Sequence, residues 1–132
     1  MRVEAVTGIL PILIILLLQH TKPRRLTQID SNGNASWWQG KDAANITVAG
    51  WWTSPSGTKY PVDWVLETPV GKFALEPYFD EQNMDLEDSP LKYWEGIMRI
   101  RALDLSGEQI GTGYVELIGY APISNLGSLY AI

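Results

Sequence analysis

Glu95 directly follows two aromatic residues in the run Tyr93-Trp94-Glu95-Gly96. A carboxyl group held in a pocket against an aromatic ring loses hydration, which raises its pKa and lets it act as an acid near neutral pH. The same residues also fit the edge of a well-packed hairpin, in which the carboxylate has an ordinary structural partner. The sequence therefore leaves two interpretations of Glu95: an acid in a pocket, or the edge of a hairpin.

The residues around Glu95 predict two long antiparallel strands. Ser106-Gly107 supplies the turn between them, and the second strand runs back toward Tyr120. Gly111 and Gly113 lie inside this second strand, where a missing side chain marks a bulge, a barrel corner or the close approach of a bulky group. In the first strand, one face is predicted to carry Ile97, Met98, Ile100, Ala102 and Leu103, and the other Arg99 and Arg101.

Further strands are predicted earlier in the chain, separated by turn signals. They are Ile46 to Trp52, Lys59 to Thr68, and a short strand around Phe73 and Leu75. The acidic stretch from Tyr78 to Pro90 has too little apolar periodicity for a central strand and is predicted to be a loop that crosses the surface or a barrel mouth. Recurrent turns and the lack of helical periodicity after Asn34 predict an all-β sandwich or barrel.

Composition excludes several classes of site. The chain has 132 residues, enough for a single domain, with no cysteine and one histidine, so disulfides and thiolate metal sites are excluded and a zinc site is not expected. His20 lies at a segment border and not in a catalytic cluster. The net charge of −5 opposes contact with phosphate backbones, so nucleic acid is not an expected partner. We expect no metal and no cofactor, and an apolar small molecule fits better.

Residues 1–30 are predicted to form a segment distinct from the body, residues 31–132. Ile9 to Leu18 is an apolar run that would extend about 15 Å as a helix, roughly half of a hydrocarbon core. Its length matches the core of an export signal, although Glu4 stands in a region that is normally basic. Four interpretations stay open: an export signal, a short anchor that contacts the membrane through residues 9–18, a buried strand, or a start site inside a longer gene. The first two predict an exported or membrane-associated protein.

Six tryptophans are many for a chain of this length. Large aromatic side chains fill the cores of small β domains, so core packing is the first interpretation for most of them. The pairs Trp37-Trp38 and Trp51-Trp52 differ, because neighbours in a strand point to opposite faces and cannot both enter one core. One member of each pair is predicted to line a second surface, which is a ligand cavity, a domain interface or a capped sheet.

Three ordered motifs, WWTSPSGTKYPVDW, YWEGIMRI and GTGYVELIGYA, resemble a known family. They are similar to the carboxy-terminal lipocalin-like domain of the carotenoid 1,2-hydratase (hydroxyneurosporene synthase) and AttH-like family, from about Ser31 to Ala121. The resemblance implies a lipocalin-like antiparallel β-barrel that pairs with a second lipocalin-like domain or chain. It also implies an architecture shared with pericyclases of the Diels-Alderase type.

The chemistry that this resemblance implies is the addition of water to an isolated alkene. That reaction needs an acid that protonates carbon and an aromatic face that stabilises the carbocation. Asp80 and Glu95, each preceded by two aromatic residues, are the candidate catalytic residues. The competing interpretation of Asp80 is a solvated acidic loop. For Glu95 it is an ion pair with Arg99 or Arg101, or a carboxylate bound by backbone N–H groups.

One departure from the family pattern bears on catalysis. The pattern near Asp80 has Gln-Glu followed by Leu or Met, whereas this chain has Gln82, Asn83 and Met84. The matching carboxylate is missing, so the resemblance implies binding more directly than catalysis.

The sequence leads to three functional hypotheses. The first is a lipocalin-like domain that holds an apolar small molecule, an isoprenoid or another lipid, against aromatic side chains. The second is half of a hydratase or pericyclase-type enzyme that works without a cofactor. The third is a structural domain that only pairs with a partner barrel, which predicts an exposed apolar patch. The candidate ligand-binding residues are Trp52, Trp64, Tyr78, Trp94 and Tyr114.

Overall fold

A computed structural model describes residues 25–85 and 91–121 in full, and residues 2–6 and 12–16 by their backbone. Ten strands and one short 3-10 helix, Gly40–Asp42, make up its regular structure. The strands are β1 Arg2–Val6, β2 Ile12–Leu16, β3 Arg25–Ile29, β4 Ala35–Gln39, β5 Asn45–Thr53, β6 Lys59–Thr68, β7 Gly71–Pro77, β8 Asn83–Asp85, β9 Lys92–Ala102 and β10 Gln109–Ile118.

All the strands belong to one antiparallel sheet. Its order is β4-β3-β2-β1-β10-β9-β7-β6-β5, and β8 pairs with β9 beside this path. The two edge strands, β4 and β5, are consecutive in sequence and joined through the 3-10 helix, but in the described sheet they do not pair with each other. The all-β antiparallel prediction is confirmed, and the sheet curves around a core without closing into a barrel.

Period-two alternation gives the sheet a buried inner face and an outer face. In β6, Tyr60, Val62, Trp64 and Leu66 point inward, while Asp63 and Glu67 point outward. The register continues this division, because Trp64 pairs with Leu75 of β7, which in turn pairs with Ile100 of β9. The core formed in this way contains Leu26, Ala43, Tyr60, Val62, Trp64, Leu66, Phe73, Leu75, Trp94, Met98, Ile100, Val115 and Leu117.

The predicted hairpin is present as β9 and β10, with two corrections to its inner face. Leu103 lies beyond the end of β9 at Ala102 and is half-buried. Ile97 does not join the inner face, because the register places it opposite Tyr114 on the outer face, where it is 49% exposed. Its neighbours Met98 and Gly96 are buried instead. Of the three interpretations given for Gly111 and Gly113, a bulge fits Gly111, because the register shifts between Gln109 and Gly111.

Gly96 is required by the tryptophan two residues before it. A Cβ atom on Gly96 would overlap Cη2 of Trp94, because the indole ring lies directly over the glycine. Trp94 is fully buried, and its Nε1 donates a 2.7 Å hydrogen bond to the carbonyl oxygen of Asp80. The run Trp94-Glu95-Gly96 is therefore a packing unit of β9.

The segment after β7 differs from the predicted surface loop. Part of it forms β8, which pairs with the first residues of β9: Asn83 with Trp94, Met84 with Tyr93, and Asp85 with Lys92. The side chain of Gln82 holds the segment to β9, because its Oε1 accepts from the Ile97 N–H at 2.9 Å and its Nε2 donates to the Phe79 carbonyl at 2.8 Å. Residues 86–90 of the predicted loop lie outside the described residues.

The predicted apolar run of residues 9–18 is described only in part. The backbone of β2 lies between β1 and β3 in the sheet, and β1 pairs with β10. Leu26 of β3 is fully buried in the common core. No helix among the described residues is long and apolar enough to cross a bilayer. The division of the chain at residue 30 stays a prediction.

Candidate functional site

Three aromatic rings meet at one end of the inner face, where β5 ends, β6 begins and β10 has just ended. Trp52 and Tyr60 are opposite each other in the register, and their rings stack with centroids 6.5 Å apart and an interplanar angle of 20°. Tyr120 tilts against Tyr60 at 6.0 Å. Together with Asp85 of β8, these rings form what we call the Tyr60 cluster: Trp52, Tyr60, Asp85 and Tyr120.

The two tyrosines of the cluster keep their protons. Burial, and then the charge of Asp85, raise the pKa of Tyr60, while a weak side-chain hydrogen bond with Thr58, outside normal hydrogen-bond geometry, partly offsets the change. Burial raises the pKa of Tyr120 to about 12. Both hydroxyl oxygens are buried, and neither makes a hydrogen bond of normal geometry with any described residue. At neutral pH the cluster therefore presents two phenol groups that can each donate a hydrogen bond to a ligand.

Asp85 adds a carboxylate to this end of the sheet. Ser56, in the turn between β5 and β6, donates a hydrogen bond to Oδ2 of Asp85. Ser56 also shares a 2.9 Å hydrogen bond with Ser54, whose Oγ accepts from the Thr58 N–H at 3.1 Å. Oδ1 of Asp85 is buried and has no partner within residues 25–85 and 91–121. The turn thus fixes one carboxylate oxygen and leaves the other available.

This arrangement suits a mostly apolar molecule with one polar end. Stacked aromatic rings supply apolar contact area, and small-molecule sites combine such area with a few polar groups that set orientation. The unpaired groups are two donors and one acceptor. In the part of the chain that the structure describes, no group of three or more His, Cys, Asp or Glu side chains could hold a metal ion.

The three tryptophans among the predicted ligand-binding residues lie on the inner face. Trp64 and Trp94 are core residues, 6% and 0% exposed. Trp52 is half-buried and belongs to the Tyr60 cluster. Trp64 Nε1 is buried without a partner among the described residues, so it is a further unpaired donor in the interior.

The two predicted tyrosines lie on the outer face. Tyr78 lies under the guanidinium of Arg99, 4.5 Å from its ring centroid, and its hydroxyl accepts from Nε2 of Gln109 at 2.7 Å. Tyr114 is 37% exposed beside Ile97. Burial and a hydrogen bond with Glu95 hold the pKa of Tyr114 above its ordinary value. The structure does not bring these two tyrosines together with the tryptophans.

The two candidate catalytic residues also lie apart from the Tyr60 cluster. Asp80 is exposed, and its charge helps to raise the pKa of Asp63, after the larger effect of burial. Glu95 is on the outer face, directly opposite Glu116. The predicted partners of Glu95 are engaged elsewhere: Arg101 pairs with Glu76 at 2.8 Å, and Arg99 lies over Tyr78.

Sequence reasoning missed Tyr60, Asp85 and Tyr120. Tyr60 could have been found, because it precedes Val62 and Trp64 in the same alternation of β6. Asp85 was assigned to a solvated loop, since three residues of strand carry no readable period. Only the chain reversal through the β5–β6 turn brings Asp85 to Ser56.

A surface cleft lies at the opposite end of β6. It has a volume of about 510 Å³ and is lined by Glu67, Thr68, Pro69, Val70, Gly71, Lys72 and Asp104. Its charged groups are satisfied, because Lys72 pairs with Glu67 at 3.2 Å and its N–H donates to Asp104. Since this cleft has no aromatic ring, the Tyr60 cluster is the stronger candidate.

Two solved structures share this fold. A putative AttH from Nitrosomonas europaea superposes with a TM-score of 0.77 at 21% identity, over 91% of this chain and 38% of its own. Kievitone hydratase from Nectria haematococca superposes with a TM-score of 0.69 at 22% identity, over 92% of this chain and 39% of its own. This chain therefore spans well under half the length of either protein. No curated protein matches it significantly.

The family model of AttH-like proteins matches residues 18–120, which is most of the chain. This match confirms the AttH-like part of the resemblance seen in the sequence, and the superpositions confirm its lipocalin-like all-β fold. The chain belongs to the AttH-like family.

Proposed function

We propose that this domain binds an apolar small molecule, an isoprenoid or another lipid, at the Tyr60 cluster. The observation that carries the proposal is a buried aromatic stack whose two tyrosine hydroxyls have no hydrogen-bond partner among the described residues. Buried polar groups are nearly always paired in folded proteins, so these hydroxyls call for a partner, and the polar end of a bound molecule would supply one. The curved sheet of a lipocalin-like domain is a common setting for such a ligand.

A hydratase is the second candidate function. One structural relative is named as kievitone hydratase, and a carotenoid 1,2-hydratase activity is the version that the sequence resemblance implies. Hydration of an alkene transfers a proton from an acid to one carbon, bonds water to the other, and returns a proton from that water to the conjugate base. Asp85, with one buried unpaired oxygen beside Tyr60, is better placed than Asp80 or Glu95 to supply this proton, which it can do only in its protonated form.

A second lipocalin-like domain or chain is the proposed partner. The relatives are much longer than the part this chain spans, and the outer face of β9 and β10 exposes apolar side chains, Ile97 and Tyr114 opposite each other and Ile118 further along. Exposed apolar patches of this kind favour a protein contact. Such a partner would complete an enzyme or serve a purely structural assembly. Membrane contact through residues 9–18 stays a prediction.

Titration of tryptophan fluorescence tests the binding proposal. An acyclic carotenoid and a saturated fatty acid of similar length are added to the full chain, and to Trp52→Ala and Trp37→Ala. Trp37 is the matched control, because it is 57% exposed on the edge strand β4. We expect saturable quenching by the polyene, weakened about tenfold by Trp52→Ala, the effect of losing one aromatic contact. Equal binding by both variants would place the ligand elsewhere, and the absence of saturation with either compound would overturn the proposal.

A further inference from the structure

The Tyr60 cluster contains an unpaired acceptor as well as unpaired donors. Oδ1 of Asp85 and the hydroxyl of Tyr60 are both buried without a hydrogen-bond partner in the described part of the chain, and Tyr60 is 0% exposed. The two side chains interact through the charge of Asp85 but do not bond to each other. A group that satisfies both must accept one hydrogen bond and donate another.

The carboxylate is held in position for such a group. In the register of β8 and β9, Asn83 pairs with Trp94, whose side chain is on the inner face, and Asp85 pairs with Lys92. Asp85 is two residues after Asn83 in β8, so its side chain lies on the same inner face. Ser56 occupies Oδ2, which leaves Oδ1 as the free acceptor. Because Ser56 is itself bonded to Ser54 at the buried base of the turn, the carboxylate is fixed before any ligand arrives.

The charge at this end discriminates among polar groups. A ligand carboxylate would face the negative charge of Asp85 in an environment of low dielectric, which is unfavourable. A ligand ammonium would suit Asp85 and the rings, but it has no lone pair to accept the Tyr60 proton. A hydrocarbon would leave both groups unpaired. A neutral hydroxyl satisfies both.

We propose that Asp85 and Tyr60 form a hydroxyl-binding pair, so that the ligand of this domain is an isoprenoid or lipid alcohol whose hydroxyl donates to Oδ1 of Asp85 and accepts from Tyr60. This inference rests on the proposed binding function and names the ligand class for the same site. It also makes Asp85 and Tyr60 the residues that determine specificity, while Trp52 and Tyr120 supply apolar contact.

The test compares four ligands that share one isoprenoid chain: geranylgeraniol, the corresponding carboxylic acid, the hydrocarbon and the primary amine. Binding of each to the full chain is measured by calorimetry at pH 7. We expect the alcohol to bind at least tenfold more tightly than the other three. Tighter binding of the amine or the acid, or equal binding of alcohol and hydrocarbon, overturns the hydroxyl-binding pair.

Variants locate the effect. Asp85→Asn and Tyr60→Phe should each weaken the alcohol about tenfold and leave the hydrocarbon unchanged, whereas Asp42→Asn, at an exposed position in the 3-10 helix, should change neither. The melting temperature of unliganded Tyr60→Phe should equal or exceed that of the parent, because its hydroxyl has no partner to lose. A fall in melting temperature with unchanged alcohol affinity would show that the hydroxyl is structural, and would overturn the proposal.

Ser56→Ala keeps the test decisive if Asp85→Asn does not fold, because it removes the group that orients Asp85 and should weaken the alcohol alone. The outcomes also separate this inference from the binding function. If alcohol and hydrocarbon bind equally and Trp52→Ala weakens both, the domain binds lipids at the Tyr60 cluster without a hydroxyl-binding pair. If none of the four ligands binds, both proposals fail.

Discussion

At the scale of single residues, the adjacency of Trp94 and Glu95 in the sequence does not mean that their side chains share a pocket. Consecutive residues of a strand point to opposite faces, so the burial of Trp94 places Glu95 on the outside, where it meets Tyr114. The glycine that follows has a structural reason, because the indole of Trp94 lies over it. The residues that form a packing unit are therefore Trp94 and Gly96, and not Trp94 and Glu95.

Gly96→Ala should therefore destabilise the fold. The added methyl group meets three atoms of the fully buried Trp94 ring, which has no room to move. Overpacking of this kind costs about 1–3 kcal/mol, and we expect the upper part of that range in the free energy of unfolding, measured with urea.

Gly107→Ala is the matched control for that substitution. Gly107 lies in the β9–β10 turn with φ +74°, and a Cβ there meets no atom within 4 Å. Its cost is backbone strain alone, about 1 kcal/mol. Equal effects of the two variants would show that the Trp94 contact contributes nothing.

The buried tyrosines predict weaker stability at alkaline pH. The pKa of Tyr120 is about 12 in the folded protein against an ordinary 10.0, so the unfolded chain loses this proton first as the pH rises. The stabilisation is complete below pH 10 and disappears as the pH passes 12. Tyr120→Phe should make the free energy of unfolding fall less steeply over that interval, and leave it nearly unchanged at pH 7, where the hydroxyl has no described partner to lose.

Urea titrations at several pH values measure this slope. Tyr60 and Tyr114 also have raised pKa values, so the variant should keep part of the alkaline decline. An identical slope in Tyr120→Phe and the parent would mean that Tyr120 ionises as easily in the folded state as in the unfolded one.

At the scale of elements, the segment between β7 and β9 depends on one side chain. Gln82 bonds to the Phe79 carbonyl and to both the N–H and the carbonyl of Ile97, in the manner of a strand residue, and its own carbonyl accepts from the Glu95 N–H. This attachment positions β8, and with it Asp85. Gln82 thus links a surface segment to the candidate site.

Gln82→Ala should release this segment from β9. The Ile97 N–H loses its acceptor, so hydrogen exchange at Ile97 should become faster, and the net loss of hydrogen bonds should lower stability by about 1–3 kcal/mol. Exchange measured by NMR checks the first effect. The exposed neighbour Glu81 provides the control, since Glu81→Ala should leave Ile97 protected. Continued protection of Ile97 in Gln82→Ala would contradict the attachment.

The elements predicted from sequence are those with a readable period. β5, β6, β7, β9 and β10 have enough residues for apolar alternation to show, and their positions agree with the structure. β8 has three residues and is mostly polar, and β4 has one half-buried position among exposed ones, so neither carries a period. β4 and β8 form because neighbouring strands offer them hydrogen bonds. The order of apolar and polar residues within a short segment does not indicate such partners.

At the scale of the whole molecule, the candidate site is a product of topology. Trp52, Tyr60, Asp85 and Tyr120 come from four separate parts of the chain, and the curvature of one sheet brings them to one end. Adjacency in the sequence therefore could not reveal which residues meet at this site. The fold was easier to predict, because alternation and turn signals act locally while the site depends on register across the sheet.

The relation of the first thirty residues to the body is a property of the whole sheet and can be tested directly. β1 covers the edge of β10, and Leu26 of β3 is fully buried in the common core. A shortened chain of residues 31–132 would leave β10 as an open edge and a cavity in place of Leu26, so it should be less stable and prone to aggregate.

Leu26→Ala in the full chain isolates the contribution of this core residue. It should lower the free energy of unfolding, measured with urea, by about 2–5 kcal/mol. Equal stability of the shortened and full chains would show that residues 1–30 are dispensable, as the sequence-based division at residue 30 predicts. A large loss in both the shortened chain and Leu26→Ala would make β3 part of the lipocalin-like domain.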